Sequence, residues 1–553
     1  MKVPVNVPKL SGFDKSHQNL FTSKCGTITP ILIDELIPGS KVNLKLALSA
    51  SLPPLAADTF MRCAVKVEAF FVPFRLLCGS FESWFTDEAK KFAAYSYNGT
   101  AQSPVSKKGF LPVLSGITDV DVLGGLQAVG SLADYLGLKT SASSFFTNNA
   151  ISAMPFLAYH RVYHDWYRNT LVQSEVFLPP TQLGGTGISP SANPAYAGCM
   201  PYLFLSDPVS QGSGDPSYIF NSKETLMLAD GKYLYELRQR NFGLDYFTTA
   251  TPSPQQGSAE VVSFSTSGST GQFSIAALRA ANSLQQFKER NNLAGNLFVE
   301  QCRARYGVSP SDGVAQRSLY LGSAQFEVYS KGIFTQSQDT ASSVNTSNPF
   351  QGTAAAQFGN ARASGNNTLV QHFEAKEPGY LLVNASLVPR VTYSSGIHRR
   401  FLHYIGPGSL SDLANPILQN VGPQPIYQNE LTGVGSNSYI FGYTDRYASF
   451  KTMEDELHGI LRDGSSLQAF ALQRSFSSLS GPTINSSFLQ IPTNYMDQVA
   501  AVSTFISNYG YWCDCYFDYK VAQPLAKYSL PSLQDPAYEH GRTVVIHKGG
   551  KRI

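Results

Sequence analysis

A mainly β fold of antiparallel strands, interrupted by long helical and irregular insertions, is what the 553-residue sequence predicts. Three observations carry that prediction. Several short runs alternate apolar and polar residues with period two, the pattern of a strand that buries one face. These runs lie far apart in the chain. The composition, with Gly 45, Pro 32, Tyr 29 and Phe 35, is that of many turns joining aromatic-rich strands.

The first run is KVNLKLALS at 41–49, where Val42, Leu44, Leu46 and Leu48 share one face and Lys41, Asn43 and Lys45 the other. In MRCAVKVEAFFVPF, Cys63, Val65, Val67, Ala69 and Phe71 alternate with Arg62, Lys66 and Glu68 until Pro73 ends the ladder. Far downstream, YWCDCYFDYKV aligns Tyr511, Cys513, Cys515, Phe517, Tyr519 and Val521 opposite Asp514, Asp518 and Lys520. Further strands are expected at 31–37, 323–334, 380–393, 438–450 and 497–507.

Helical periodicity fills part of the space between them. It covers 154–169, with Pro155 in the first turn, then 274–290, and LFVEQCRARYG, which stops at Gly307. Two long low-charge segments remain: 178–232, broken by Gly, Pro and Ser, and 335–370, expected to be a loop, whose only charges are Asp339 and Arg362. Segments of this length without strong periodicity usually serve as functional excursions or mobile loops. No internal repeat or heptad pattern is present.

A chain this long exceeds the roughly 250–300 residues at which one core stops growing, so it holds either several domains or one core with large excursions. Charged residues make up only 15%, against about 25% in ordinary soluble proteins. Surface buried against other chains would account for the deficit, because interface cores are poor in charge and rich in aromatics. The net charge of +3 is too small to imply a nucleic-acid partner by itself. Seven cysteines without a C-x-x-C pair indicate neither a disulfide framework nor a zinc ribbon and point to synthesis in a reducing compartment. The opening MKVPVNVPKL lacks the apolar core of a signal peptide, and no apolar run is long enough for a bilayer, so neither export by signal peptide nor membrane insertion is expected.

The segment AYHRVYHDWYRN, 158–169, raises the question of a metal site. On a helix, Tyr159, Val162, Tyr163, Trp166 and Tyr167 form an apolar stripe, and His160, Arg161, His164, Asp165 and Arg168 lie opposite. Two His at i and i+4 can chelate zinc, as in H-E-x-x-H, but here Arg161 replaces the Glu, and Asp165 is placed to pair with Arg161. A packed or interface helix is therefore expected, with no metal and no cofactor. The usual nucleotide-binding, nucleophile-elbow and zinc-protease motifs are absent. Cys513 and Cys515 read as core residues, and no carboxylate pair stands out as a glycosidase dyad. The basic end, with Arg542, Lys548, Lys551 and Arg552, is either an arm that neutralises phosphates or a merely solvated terminus.

Several stretches, taken together and in order, resemble the major capsid proteins of the gokushovirus branch of the microviruses, small phages with single-stranded DNA. They are GFDKSHQNLFTSKCGTITPILIDELIPGS (12–40), AFFVPFRLLCGSFESWF (69–85), MPFLAYHRVYHDWYRN (154–169), LDYFTTATPSPQQG (244–257), LQQFKERNNLAGNLFVEQCRARYGVSPSDGVAQRSLYLG (284–322), IFGYTDRYASFK (440–451) and FDYKVAQPLAKYSLPSL (517–533). The resemblance implies one capsid domain over 1–553, a single eight-stranded antiparallel jelly-roll of the viral capsid type with long insertions. It also implies self-assembly into a T=1 icosahedral shell around circular single-stranded DNA, after synthesis in the host bacterial cytoplasm. Implied partners are a small basic DNA-binding protein, a pilot protein, a scaffolding protein and a host receptor. In the family the 154–169 segment is a structural helix, which makes Tyr159, Val162, Tyr163, Trp166 and Tyr167 packing residues. His160 and His164 stand where Asn is more usual, raising the expectation of pH-sensitive contacts. The variable insertion after D-Y-F-T is short here (258–272), and the extra length lies in 178–232, the candidate surface projection. Apart from the resemblance, a β-rich carbohydrate-binding or hydrolytic protein fits the same composition.

Overall fold

The computed structural model describes residues 2–7, 10–57, 59–78, 81–86, 90–92, 95–97, 100–102, 105–107, 111–139, 142–177, 219–220, 223–259, 275–295, 297–336, 354–403, 414–434, 439–476, 481–501, 505–525 and 542–547. Its frame is a ten-stranded sheet of Ser11–Asp14 (β1), His17–Ser23 (β2), Thr27–Leu36 (β3), Lys41–Ser51 (β4), Cys63–Pro73 (β5), Arg238–Gln239 (β6), Leu319–Gln336 (β7), Ala354–Glu374 (β8), Gly379–Pro389 (β9) and Tyr511–Gln523 (β10). The hydrogen-bonded order is β6-β3-β9-β5-β7-β8-β4-β10-β1, and β2 also lies on β10. Every neighbouring pair is antiparallel.

A single hairpin makes this sheet into two packed layers. Tyr329–Gln336 of β7 pairs with Ala354–Arg362 of β8, but nearer the base the strands part company. Leu319–Val328 pairs with β5, whereas Arg362–Glu374 pairs with β4. One leg thus belongs to each layer, and the legs still face one another: a Cβ on Gly365 would lie 3.0 Å from the ring of Phe326, and Phe71 and Phe373 meet at 5.1 Å between centroids. Between the layers lies one core in which Val42, Leu44, Leu46 and Leu48 pack with Val65, Val67, Leu381, Val383, Phe517 and Tyr519.

The layers differ in what covers their outer faces. In β4 and β10 burial alternates strictly, with Lys41, Asn43, Lys45, Trp512, Asp514 and Tyr516 exposed. In β9 every residue is buried. The difference arises because the outer face of β3, β9 and β5 carries a second core, where Ile28, Phe70, Val72, Tyr380 and Leu382 meet the helix Met154–Val162 (α1). A strand covered on both faces reads as a continuous apolar run, and one covered on a single face alternates.

Two more helices match their periodicity: Ile275–Ala294 (α2) and Phe298–Tyr306 (α3), the latter ended by Gly307 in the left-handed conformation at φ +71. Other expectations are corrected. Among the described residues of 497–507 there is no strand but a 3-10 turn, Tyr495–Val499, and the short helix Phe505–Tyr509, because Asp497 accepts the Ser507 amide at 2.8 Å and closes the chain into a turn. At 438–450 the strand is only Ile440–Thr444, ending before Tyr447, which adopts φ +63. The expected loop 335–370 is strand over Ala354–Glu374, since pairing with β4 and β7 outweighs the weak propensity of its Ala, Gly, Ser and Asn; 337–353 lie outside the described residues. The basic end is also partly ordered: Arg542–His547 pairs antiparallel with Lys2–Val7, placing Arg542 in a strand.

Cys25, Cys63, Cys78, Cys302, Cys513 and Cys515 are free thiols, and Cys513 and Cys515 are core residues. No helix among the described residues is long and apolar enough to cross a membrane.

Gly510, which launches β10 at φ +70, tests this frame, because an added Cβ would sit 2.1 Å from the Ser23 carbonyl oxygen. Gly510→Ala should lower the unfolding free energy by about 1–3 kcal/mol. Gly12→Ala, with nothing within 4 Å, should leave the denaturation midpoint unchanged.

Candidate functional site

Helix α1 is followed directly by a π-helical turn, Tyr163–Tyr167, and together they lie across the outer face of the covered layer. Tyr159, Val162 and Tyr163 are buried in the second core, with Trp166 and Tyr167 packed against its edge. Each long aromatic also carries a polar tip that needs a partner when buried. The Tyr159 hydroxyl donates to the Ile28 carbonyl at 2.7 Å and accepts the Arg238 amide at 2.8 Å. The Tyr167 hydroxyl donates to Glu68 at 2.6 Å. Trp166 Nε1 donates to Ser318, and the Arg317 guanidinium lies 4.1 Å from its ring centroid.

The opposite side of the helix is not a solvated face. His160, Arg161, Asp165 and Arg168 are all buried. Asp165 forms the expected i,i+4 pair with Arg161, at 3.0 Å, and also accepts from the Ser318 amide at 2.8 Å and from His164 at 3.0 Å. Burial opposes its ionisation, but Arg161 and these donors prevail and hold its carboxyl down to about 2.

The two histidines are engaged in full. Arg238 Nε donates to His160 Nδ1 at 3.0 Å, so the proton is on Nε2, which donates to the Leu234 carbonyl at 2.9 Å. Burial first, and Arg238 second, push the His160 pKa well below its ordinary value, so this residue stays neutral and does not supply the pH-sensitive contact expected of it. In His164, Nδ1 faces Asp165 and Nε2 faces Glu175. Neither ring has a nitrogen left for a metal, and among the described residues no cluster of His, Cys, Asp and Glu is placed to hold one.

Sequence reasoning found the helix and the Arg161–Asp165 pair but missed the groups that fasten them. Glu68 projects from β5 under the helix, where Arg240 binds it through two nitrogens at 2.7 and 2.9 Å. Ser318 arrives from the start of β7, Leu319–Gln336, and Arg238 from β6. The available signals were Glu68, which with Lys66 makes up the only charges in an otherwise apolar strand, and the alternating Arg238 and Arg240. Of the DNA-contacting residues expected in the basic end, Arg542 is in the terminal strand pair, and Lys548, Lys551 and Arg552 lie outside the described residues.

A two-layer β frame whose buried polar cluster serves to fix one helix to one sheet describes a structural subunit. The chain belongs to the family of the phage capsid protein (F protein), whose family model matches residues 2–533. It is similar to the capsid protein VP1 of Chlamydia phage 1, 24% identical over 96% of this chain and 97% of that protein. VP1 of Bdellovibrio phage phiMH2K is 24% identical, covering 94% of this chain and 95% of its own length. VP1 of Spiroplasma virus 4 is 22% identical, covering 94% of each. Membership makes the chain a capsid protein rather than an enzyme.

The depressed pKa of Asp165 gives a pH prediction. Its contribution is present in full above the unfolded-state value of about 3.9 and disappears as pH falls toward the folded value. At neutral pH Asp165→Asn should destabilise the subunit by about 3–5 kcal/mol by leaving Arg161 buried without a counter-charge. The gap to wild type should narrow between about pH 4 and 2 in chemical denaturation. A gap that stays constant over that range contradicts the assignment.

Proposed function

We propose that this chain is the major capsid protein of a small phage and that copies of it close into a T=1 icosahedral shell around circular single-stranded DNA. The observation that carries the reading is the family match over residues 2–533, which leaves little of the chain for any other domain. The jelly-roll reading is supported by strand order. One layer runs β2-β10-β4-β8 and the other β3-β9-β5-β7, so all but one of the successive connections cross between layers, as in a double Greek key. Low overall charge and aromatic side chains left exposed, such as Trp512 and Tyr516, suit a subunit whose remaining surface meets other copies.

On this reading the residues beyond the terminal strand, with Lys548, Lys551 and Arg552, contact packaged DNA through phosphates. The segment 178–232, apart from its end, where Leu226 and Leu228 are buried in the second core and Asp230 pairs with Arg238, forms a projection toward the host receptor. A small basic DNA-binding protein, a pilot protein and a scaffolding protein are the further partners, and synthesis takes place in the bacterial cytoplasm.

Purified protein examined by negative stain should yield closed shells or pentamers, and a monomer at all concentrations overturns the proposal. Deleting 548–553, which spares the Arg542–His547 strand, should leave shells intact with less DNA or with DNA more readily released by salt; undiminished packaging sinks the tail assignment. Deleting 183–196 in an infectious clone should give normal particles that adsorb poorly. Loss of particles would instead make the segment a clamp between subunits.

A further inference from the structure

Among the described residues, helix α2 is anchored at one end only. Near its C-terminus Asn292 donates to the Ser253 carbonyl at 2.6 Å, and the Glu289 carboxylate lies 3.0 Å from where a Cβ on Gly422 would stand. Its N-terminal half packs on nothing comparable among them: Ile275, Leu278 and Leu284 are 67%, 49% and 43% exposed. Alanines 276, 277 and 280 are exposed too, and Arg279 is the only charge from 275 to 287. A helix that is apolar around most of its circumference is ordinarily a buried helix. One cation in thirteen residues is also too few for a nucleic-acid surface, which needs several phosphate-neutralising groups.

The same chain carries a groove of about 700 Å³ with complementary character. Leu244 and Met453 on its lining are 88% and 87% exposed. Of its acidic residues, Asp455 is paired with Arg390 and Asp445 with Lys451. The other two, Asp245 and Glu454, have no cationic partner among the described residues. Asp245 takes hydrogen bonds from the Tyr393 hydroxyl and the Phe247 amide. Burial first, and then Glu430, Asp245 and Glu456 nearby, hold the Glu454 carboxyl up to about 7.

We propose that the N-terminal half of α2 docks into this acidic groove on a neighbouring copy, setting Ile275 and Leu278, which share a face with Arg279, against Leu244 and Met453 and bringing Arg279 to Asp245 and Glu454. The inference rests on the capsid reading, which supplies the neighbouring copy. It joins two patches that are uncovered or uncompensated among the described residues, one apolar with a single cation and the other apolar-rimmed with two carboxylates that lack a cation. A head-to-groove contact of this kind is heterologous and closes only if the copies are arranged in a ring or shell.

Charge reversal tests it. Arg279→Glu and Glu454→Lys should each reduce the yield of shells at least about tenfold, because like charges would then face each other in the contact. The double variant should recover most of the yield, with unchanged circular dichroism in the subunit. Single variants that assemble like wild type, or a double variant no better than either single, overturn the docking. A second measurement does not depend on assembly being lost: in shells formed by Leu278→Cys, Met453→Cys protein, mild oxidation should link copies into ladders on non-reducing gels. Closed shells that yield no cross-link also overturn it. Failure of the capsid reading would show separately, as wild-type protein that never forms shells.

Discussion

The bonding of Glu68 under helix α1 is the constraint on which the covered layer depends. A carboxylate on the outer face of a central strand must either meet water or be given partners, since burying it alone costs several kcal/mol or more. Here the partners are Arg240, bound through two nitrogens, and the Tyr167 hydroxyl at 2.6 Å. Arg240 in turn donates to Ser386 on β9 at 3.0 Å and lies over the Tyr167 ring. One ion pair thereby fixes the end of the helix, the segment after β6 and two adjacent strands relative to one another. Burial works against the carboxylate and Arg240 works for it, with the net result that Glu68 ionises more readily than a free Glu.

From that constraint follows the asymmetry of the two layers. With α1 fastened in place, β3, β9 and β5 are enclosed on both faces and form the rigid side of the subunit. Among the described residues, the outer face of the layer of β4 and β10 is open, and Leu20 and Tyr516 stand exposed there beside Lys45 and Asp518. The β7–β8 hairpin holds the layers together, because each of its legs is hydrogen-bonded into a different one. Displacing one layer would therefore strain the other through covalently continuous strands, a stiffer coupling than side-chain packing alone supplies.

What could be read from the sequence divides along the same line. β4 and β10 were legible from alternation because one of their faces is open, and α1 and α3 from helical period, with Pro155 and Gly307 marking their ends. β8 was not legible: its Gly365, Asn366 and Asn367 belong to a strand only because β4 and β7 offer it partners, information that lies some three hundred residues away in the chain for β4. The same holds for the polar cluster. Arg161 and Asp165 are four apart and could be paired on paper, whereas Glu68, Arg240 and Ser318 are united only by the fold. The buried state of His160 was hidden for a related reason, since the helical wheel placed it opposite the aromatic stripe and did not reveal that β6 covers that side as well.

The scarcity of charge has a further meaning once the ion pairs are placed. Arg161, Arg168, Arg238, Arg240 and Arg399 are committed to carboxylates with little or no exposure of their own side chains. Charges so committed stabilise the subunit but contribute little to the field outside it, because each cation is matched at contact distance. The outer surface is therefore closer to neutral than even the 15% charged composition suggests. Copies with such a surface approach without long-range repulsion, and the choice among contacts falls to the few places where charge is left unmatched. In this chain those places are local, so specificity of association resides in particular patches and not in the net charge of +3.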